Sequence, residues 1–122
     1  MHALQQVLVV DDDEGVRELM VMALSSVGYE VVSAPDGAAA LQLLATARPA
    51  VILLDLLMPT MDGWEFARLY EQRPGPHAPI IVLTAARDAQ APAAELNAAA
   101  SLSKPFHLDA LFACVKQHAR QP

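Results

Sequence analysis

The chain has 122 residues, a length that suits one domain and is large enough to bury a core without disulfides or a structural metal. Apolar residues make up 54% of it, and Cys114 is the only cysteine, which excludes an internal disulfide and any multi-cysteine metal site. Its 14 acidic side chains against 8 basic ones give a net charge of −6 with no Lys/Arg cluster, so direct nucleic-acid binding through phosphate neutralisation is not expected.

The start of the chain, MHALQQVLVVDDD, lacks the basic flank and the apolar length of a signal peptide, and no later stretch approaches the length of a membrane span. The expectation is one domain over residues 1–122, cytoplasmic and without a membrane partner. Val7–Val10 is a short β-branched apolar run that stops at Asp11-Asp12-Asp13, which predicts a strand buried on both faces. Asp13 can cap a helix with Glu14 in its first turn; Val16, Leu19, Met20, Ala23, Leu24 and Val27 follow at helical spacing, and Gly28 ends the run. Glu30–Ala34 is strand-like, and Gly37–Ala47 is helical through Leu41, Leu44 and Ala45. Val51–Leu54 is another buried strand ending at Asp55, and a helix from Asp62 or Gly63 to about Gln72 packs Phe66, Ala67 and Tyr70.

Pro74-Gly75-Pro76 breaks the chain before the strand Ile80–Leu83, which ends at Thr84. Ala89–Ala100 predicts a weak helix, interrupted or started by Pro92. Ser101–Ser103 is a short strand ending at Lys104, and Leu108, Leu111, Phe112, Val115 and Ala119 make the final helix. Cys114 reads as a small apolar packer on that helix. Alternating strands and helices of this kind predict an α/β fold: a parallel five-stranded sheet with helices on both faces.

What stands at the strand ends carries the chemistry. Asp11 and Asp12, Asp55, Thr84 and Lys104 follow four different strands, and ligands of open α/β sheets bind outside the carboxyl ends of the strands. Each has a plainer reading alone: Asp11–Asp13 as a polar turn, Thr84 as a turn residue, Lys104 as a solvated charge. Together, three carboxylates at one edge repel one another and call for a counter-charge. A hard divalent cation supplies it, with Asp12 and Asp55 as direct ligands and Asp11 acting through water. A carboxylate can itself attack phosphorus to give an acyl phosphate, with Lys104 and the Thr84 hydroxyl set to meet the phosphoryl oxygens.

VLVVDDD, ILLDLLMPTMDGWEF, PIIVLTA and SKPF, in this order and strand context, resemble the receiver domain of two-component response regulators, and the resemblance runs from Val7 to about His118. It implies a flavodoxin-like, doubly wound (βα)5 fold with strand order 2-1-3-4-5. It further implies that Asp55 accepts phosphate from a phosphohistidine on a sensor histidine kinase or histidine phosphotransfer protein. Asp12, Asp55 and the main-chain carbonyl of Leu57 would bind magnesium, or manganese in its place, with Asp11 in support. Lys104 would contact the phosphoryl group, oriented by a cis peptide to Pro105, and Thr84 would swing inward to report its arrival. Output would pass to a downstream protein or to an effector domain beyond residue 122.

Ser101 stands where the family usually has an aromatic switch residue, and Asn97-Ala98 replaces the usual Gly-Ala. The segment from Thr84 to Lys104 is shorter than usual and contains Pro92, so its helix is expected to be short or irregular. Two other functions compete. A pseudo-receiver would bind proteins without phosphate, as Ser101 suggests; an aspartate-nucleophile phosphotransferase would need a second acid–base carboxylate and a substrate cover, neither of which is evident. The leading reading is a signalling module and not a turnover enzyme.

Overall fold

The computed structural model describes residues 4–56, 58, 61–84 and 97–119. Its strands are β1 (Gln6–Val10), β2 (Glu30–Ala34), β3 (Val51–Asp55), β4 (Ile80–Thr84) and β5 (Ala100–Ser103). The described helices are α1 (Glu14–Ser26), α2 (Gly37–Leu43), α3 (Gly63–Glu71) and α4 (Leu108–His118). All strand pairs are parallel and the order is β2-β1-β3-β4-β5, as the resemblance implied.

Apart from Gln6, Asp55 and Thr84 at their ends, the central strands are apolar because alternate residues of each feed two cores. Leu8, Val10, Ile52, Leu54, Ile80 and Val82 face one side, where Ala40 of α2 and Phe66, Ala67 and Tyr70 of α3 cover them. Val7, Val9, Val51, Leu53, Ile81 and Leu83 face the other side, beneath Met20 and Leu24 of α1 and Leu111 and Val115 of α4. Cys114 packs against this second core, and burial pushes its thiol pKa up, as suits an apolar packer. No described helix is long and apolar enough to cross a membrane.

Local signals set the helix ends. Asp13, Asp36 and Asp62 each accept an N–H from the first turn of α1, α2 and α3, at 3.0, 2.8 and 2.9 Å. α1 ends with Gly28 at φ 101, where Tyr29 N–H reaches Leu24 O and Gly28 N–H reaches Ser25 O; only a residue tolerant of the left-handed region closes that pattern.

Two expectations are corrected. The helix read over Gly37–Ala47 stops being α-helical after Leu43, because the Ala45 and Thr46 N–H groups reach back three residues, to Gln42 and Leu43, and tighten the last turn. The helix read over Ala89–Ala100 lies mostly outside the described residues, but it does not run to Ala100. Asn97 sits at φ 56, which no right-handed helix continues, and Ala100 already belongs to β5.

One close approach ties α3 to the end of β3. Gly63 N–H donates to Leu56 O at 3.0 Å, and a Cβ at position 63 would lie 2.8 Å from Leu56 Cα and 3.0 Å from Asp55 O. Backbone on that side cannot yield as a flexible side chain would, so only glycine lets the helix start this near the strand end. Gly63→Ala is therefore expected to destabilise the fold by roughly 1–3 kcal/mol, read as a lower denaturant midpoint at unchanged slope in urea unfolding.

Candidate functional site

The parallel sheet opens the carboxyl ends of its strands on one edge, and β1 lies at the switch point, with β2 on one side and β3 on the other. Asp11 and Asp12 follow β1 and Asp55 closes β3, so register alone makes them neighbours. One carboxylate oxygen from each of Asp11, Asp12 and Asp55 lies within 4.8 Å of the others. Asp11 and Asp55 are buried, and Asp12 is exposed.

Lys104, just past β5, brings a positive charge to the trio. Its main-chain N–H donates to Thr84 O at 2.7 Å, which continues the β4–β5 ladder and aims the side chain at the edge. Nζ donates to Asp11 Oδ2 at 2.8 Å and lies 3.8 Å from Asp55 Oδ2. Burial by itself lowers the pKa of this ammonium. The hydrogen bond to Asp11 and the charges of Asp11, Asp55 and Asp12 together outweigh that, and the pKa lies above the ordinary lysine value.

Three carboxylates and one ammonium leave two formal negative charges over. That excess and an oxygen-only donor set fit a hard divalent cation, which binds through one or two carboxylates and keeps waters for a phosphate to displace. The arrangement also sets the Asp55 carboxylate, a group of a type that can act as a nucleophile, 3.8 Å from the Lys104 ammonium.

The other predicted residues fall as follows. Thr84 ends β4 one residue beyond Leu83, the register partner of Asp55, and is buried. The peptide between Lys104 and Pro105 is cis. Ser101 pairs with Val82, two residues before Thr84, and is not among the groups that converge on the carboxylates. Leu57 lies outside the described residues. Sequence reasoning missed Arg17, whose Nη1 donates to the main-chain oxygen of Asp11 at 2.8 Å. Its signal was faint: it is the only basic side chain in α1.

Residues 7–116 match the family described as the response regulator receiver domain. The chain is 42% identical over 118 residues to the response regulator MprA of Mycobacterium sp. (strain KMS), a match covering 95% of this chain and 51% of MprA. It thus spans about half the length of the curated relatives it matches. Among solved structures, the chemotaxis response regulator CheY4 of Vibrio cholerae is similar at a TM-score of 0.87 and 31% identity, covering 94% of this chain and 98% of that one. The response regulator TrrA of Thermotoga maritima, solved in complex with Mg(2+)-BeF, gives 0.83 and 32%, covering 93% and 98%.

Removing the ammonium leaves the buried Asp11 carboxylate without that partner, so Lys104→Met is expected to lower the unfolding free energy at neutral pH by roughly 1–3 kcal/mol. The folded pKa of Lys104 is raised, so the contribution of the pair is complete below the unfolded value of about 10.4 and is lost as pH rises through the folded pKa. Urea unfolding of both proteins near neutrality and at about pH 11 should show the difference narrowing at the higher pH.

Proposed function

This chain belongs to the response regulator receiver domain family, and we propose that Asp55 is the residue on which its phosphorylation-based switch turns. The observation that carries the reading is the convergence of Asp11, Asp12 and Asp55 within 4.8 Å, with the Lys104 ammonium 3.8 Å from Asp55.

In this reading residues 1–122 form one receiver domain, working in the cytoplasm. A carboxylate oxygen of Asp55 attacks the phosphorus of a phosphohistidine on a sensor histidine kinase or histidine phosphotransfer protein. The new bond is from that oxygen to phosphorus; the phosphorus–nitrogen bond breaks, and its electron pair returns to the imidazole nitrogen, which takes a proton from water to leave neutral histidine. Asp12 and Asp55 would hold magnesium or manganese, with Asp11 in support, and the ion when bound would supply positive charge to the phosphoryl oxygens in transfer.

Lys104 holds Asp11 in place and stands close enough to Asp55 to pair with a phosphoryl group formed there. The hydroxyl of Thr84, the residue after Leu83 with which Asp55 pairs across the β3–β4 ladder, gives the same group a hydrogen bond and couples its presence to β4. The domain assists its own phosphorylation and hydrolysis without turning over a metabolite. Its output passes to a downstream protein or to a further domain.

A second reading, a phosphate-independent binding module, is favoured by Ser101, a small polar residue where the family usually places an aromatic. Intact mass after incubation with acetyl phosphate and magnesium separates the two. The wild type is expected to gain one phosphoryl group only when magnesium is present, and Asp55→Asn to gain none. No adduct on the wild type, beside a competent receiver in the same buffer, moves the reading to the binding module.

A further inference from the structure

We infer that Arg17 is a positioning residue for the acidic cluster: its guanidinium fixes the peptide between Asp11 and Asp12 and so sets how both carboxylates are offered to a cation. The inference rests on the functional reading above and deepens it. Arg17 Nη1 donates to Asp11 O at 2.8 Å, and that carbonyl belongs to the peptide unit joining Asp11 to Asp12. Rotation of this unit would swing Asp12 relative to Asp11. Asp12 is exposed, so packing does not hold it and its orientation depends on the main chain that carries it.

Two further bonds complete the restraint. Asp13 N–H donates to Asp11 Oδ1 at 3.0 Å, and the Asp13 side chain accepts the Val16 N–H at 3.0 Å. Residues 11–13 are thereby pinned to the first turn of α1, with Arg17 supplying the only described side-chain contact to the Asp11 carbonyl. Groups that orient metal ligands without touching the metal commonly set its affinity.

Electrostatics and positioning predict opposite signs for the loss of this side chain. Arg17 carries a positive charge beside a cation site, so by Coulomb repulsion alone Arg17→Ala should bind a divalent cation more tightly. If Arg17 orders the ligands, the same variant binds less tightly, because the ordering must then accompany binding.

Amide NMR of the whole chain reads the sign without any phosphoryl transfer. Magnesium chloride is titrated at constant ionic strength into wild type, Arg17→Ala and Arg17→Lys, following Asp12, Asp13 and Leu56. The midpoint is expected to rise about tenfold in Arg17→Ala and by less in Arg17→Lys. Without metal, the Asp13 amide should exchange faster in Arg17→Ala while Leu8 and Leu53 in the central strands keep their protection. An unchanged or lower midpoint overturns the inference and leaves the acceptor role of Asp55 standing. Lost protection at Leu8 and Leu53 also overturns it, since Arg17 would then serve the fold as a whole. Absence of any magnesium-dependent shift in the wild type refutes the metal reading and this inference with it. If Arg17→Ala does not fold, Arg17→Gln takes its place under the same criteria.

Discussion

The hydrogen bond from Lys104 to the buried Asp11 carboxylate joins residues 93 positions apart and closes the sheet edge on which the chemistry is built. A carboxylate with no exposed surface is costly unless it is paired. The partner comes from the far strand: in the order β1-β3-β4-β5, Lys104 reaches back across the ends of β4 and β3 to meet the acid that follows β1. Asp55 and Thr84 close β3 and β4, the two strands whose ends that reach crosses.

The scaffold beneath this edge leaves little freedom to its parts. β1 is paired on both sides, and its last residue hands the chain directly to Asp11, whose own N–H still pairs with Ala34 O at 3.2 Å. The end of β3 is backed by α3 at the Gly63 contact, so Asp55 cannot retreat from its neighbours without moving a helix. Positional restraint of this kind is what like charges need in order to be held together, and it gathers oxygen donors of the kind a hard cation takes.

Much of this was legible in the residues. Short continuous apolar runs located β1, β3 and β4 almost to the residue, because both faces of each meet a core and allow no polar substitute. The acids and the threonine stood out because each follows such a run, and Lys104 because it follows the short strand Ser101–Ser103. Strand order was not legible from spacing and came through the resemblance. The end of α2 was missed because a tightened last turn uses the same alanine and leucine residues as a continuing helix. Asn97 read as part of a weak helix because its left-handed backbone leaves no mark on hydrophobic period. Arg17 escaped notice for a related reason: a side chain bonded to a main-chain carbonyl six residues back follows no periodic rule. Nor could the strand ends reveal that Lys104 lies nearer Asp11 than Asp55, since both acids end adjacent strands.

The division of each central strand between two cores has a consequence for how this sequence can vary. Leu8 and Val9 are consecutive, yet one packs with Phe66 and Tyr70 and the other with Met20 and Leu111, with the sheet between the two groups. Epistasis should therefore follow the faces and not the order of the chain. Changes at alternate positions of one strand share partners and must be compensated together, whereas neighbours in sequence can drift almost independently. The two halves of the interior can thus be rebuilt in separate steps while the charged edge above them stays in register.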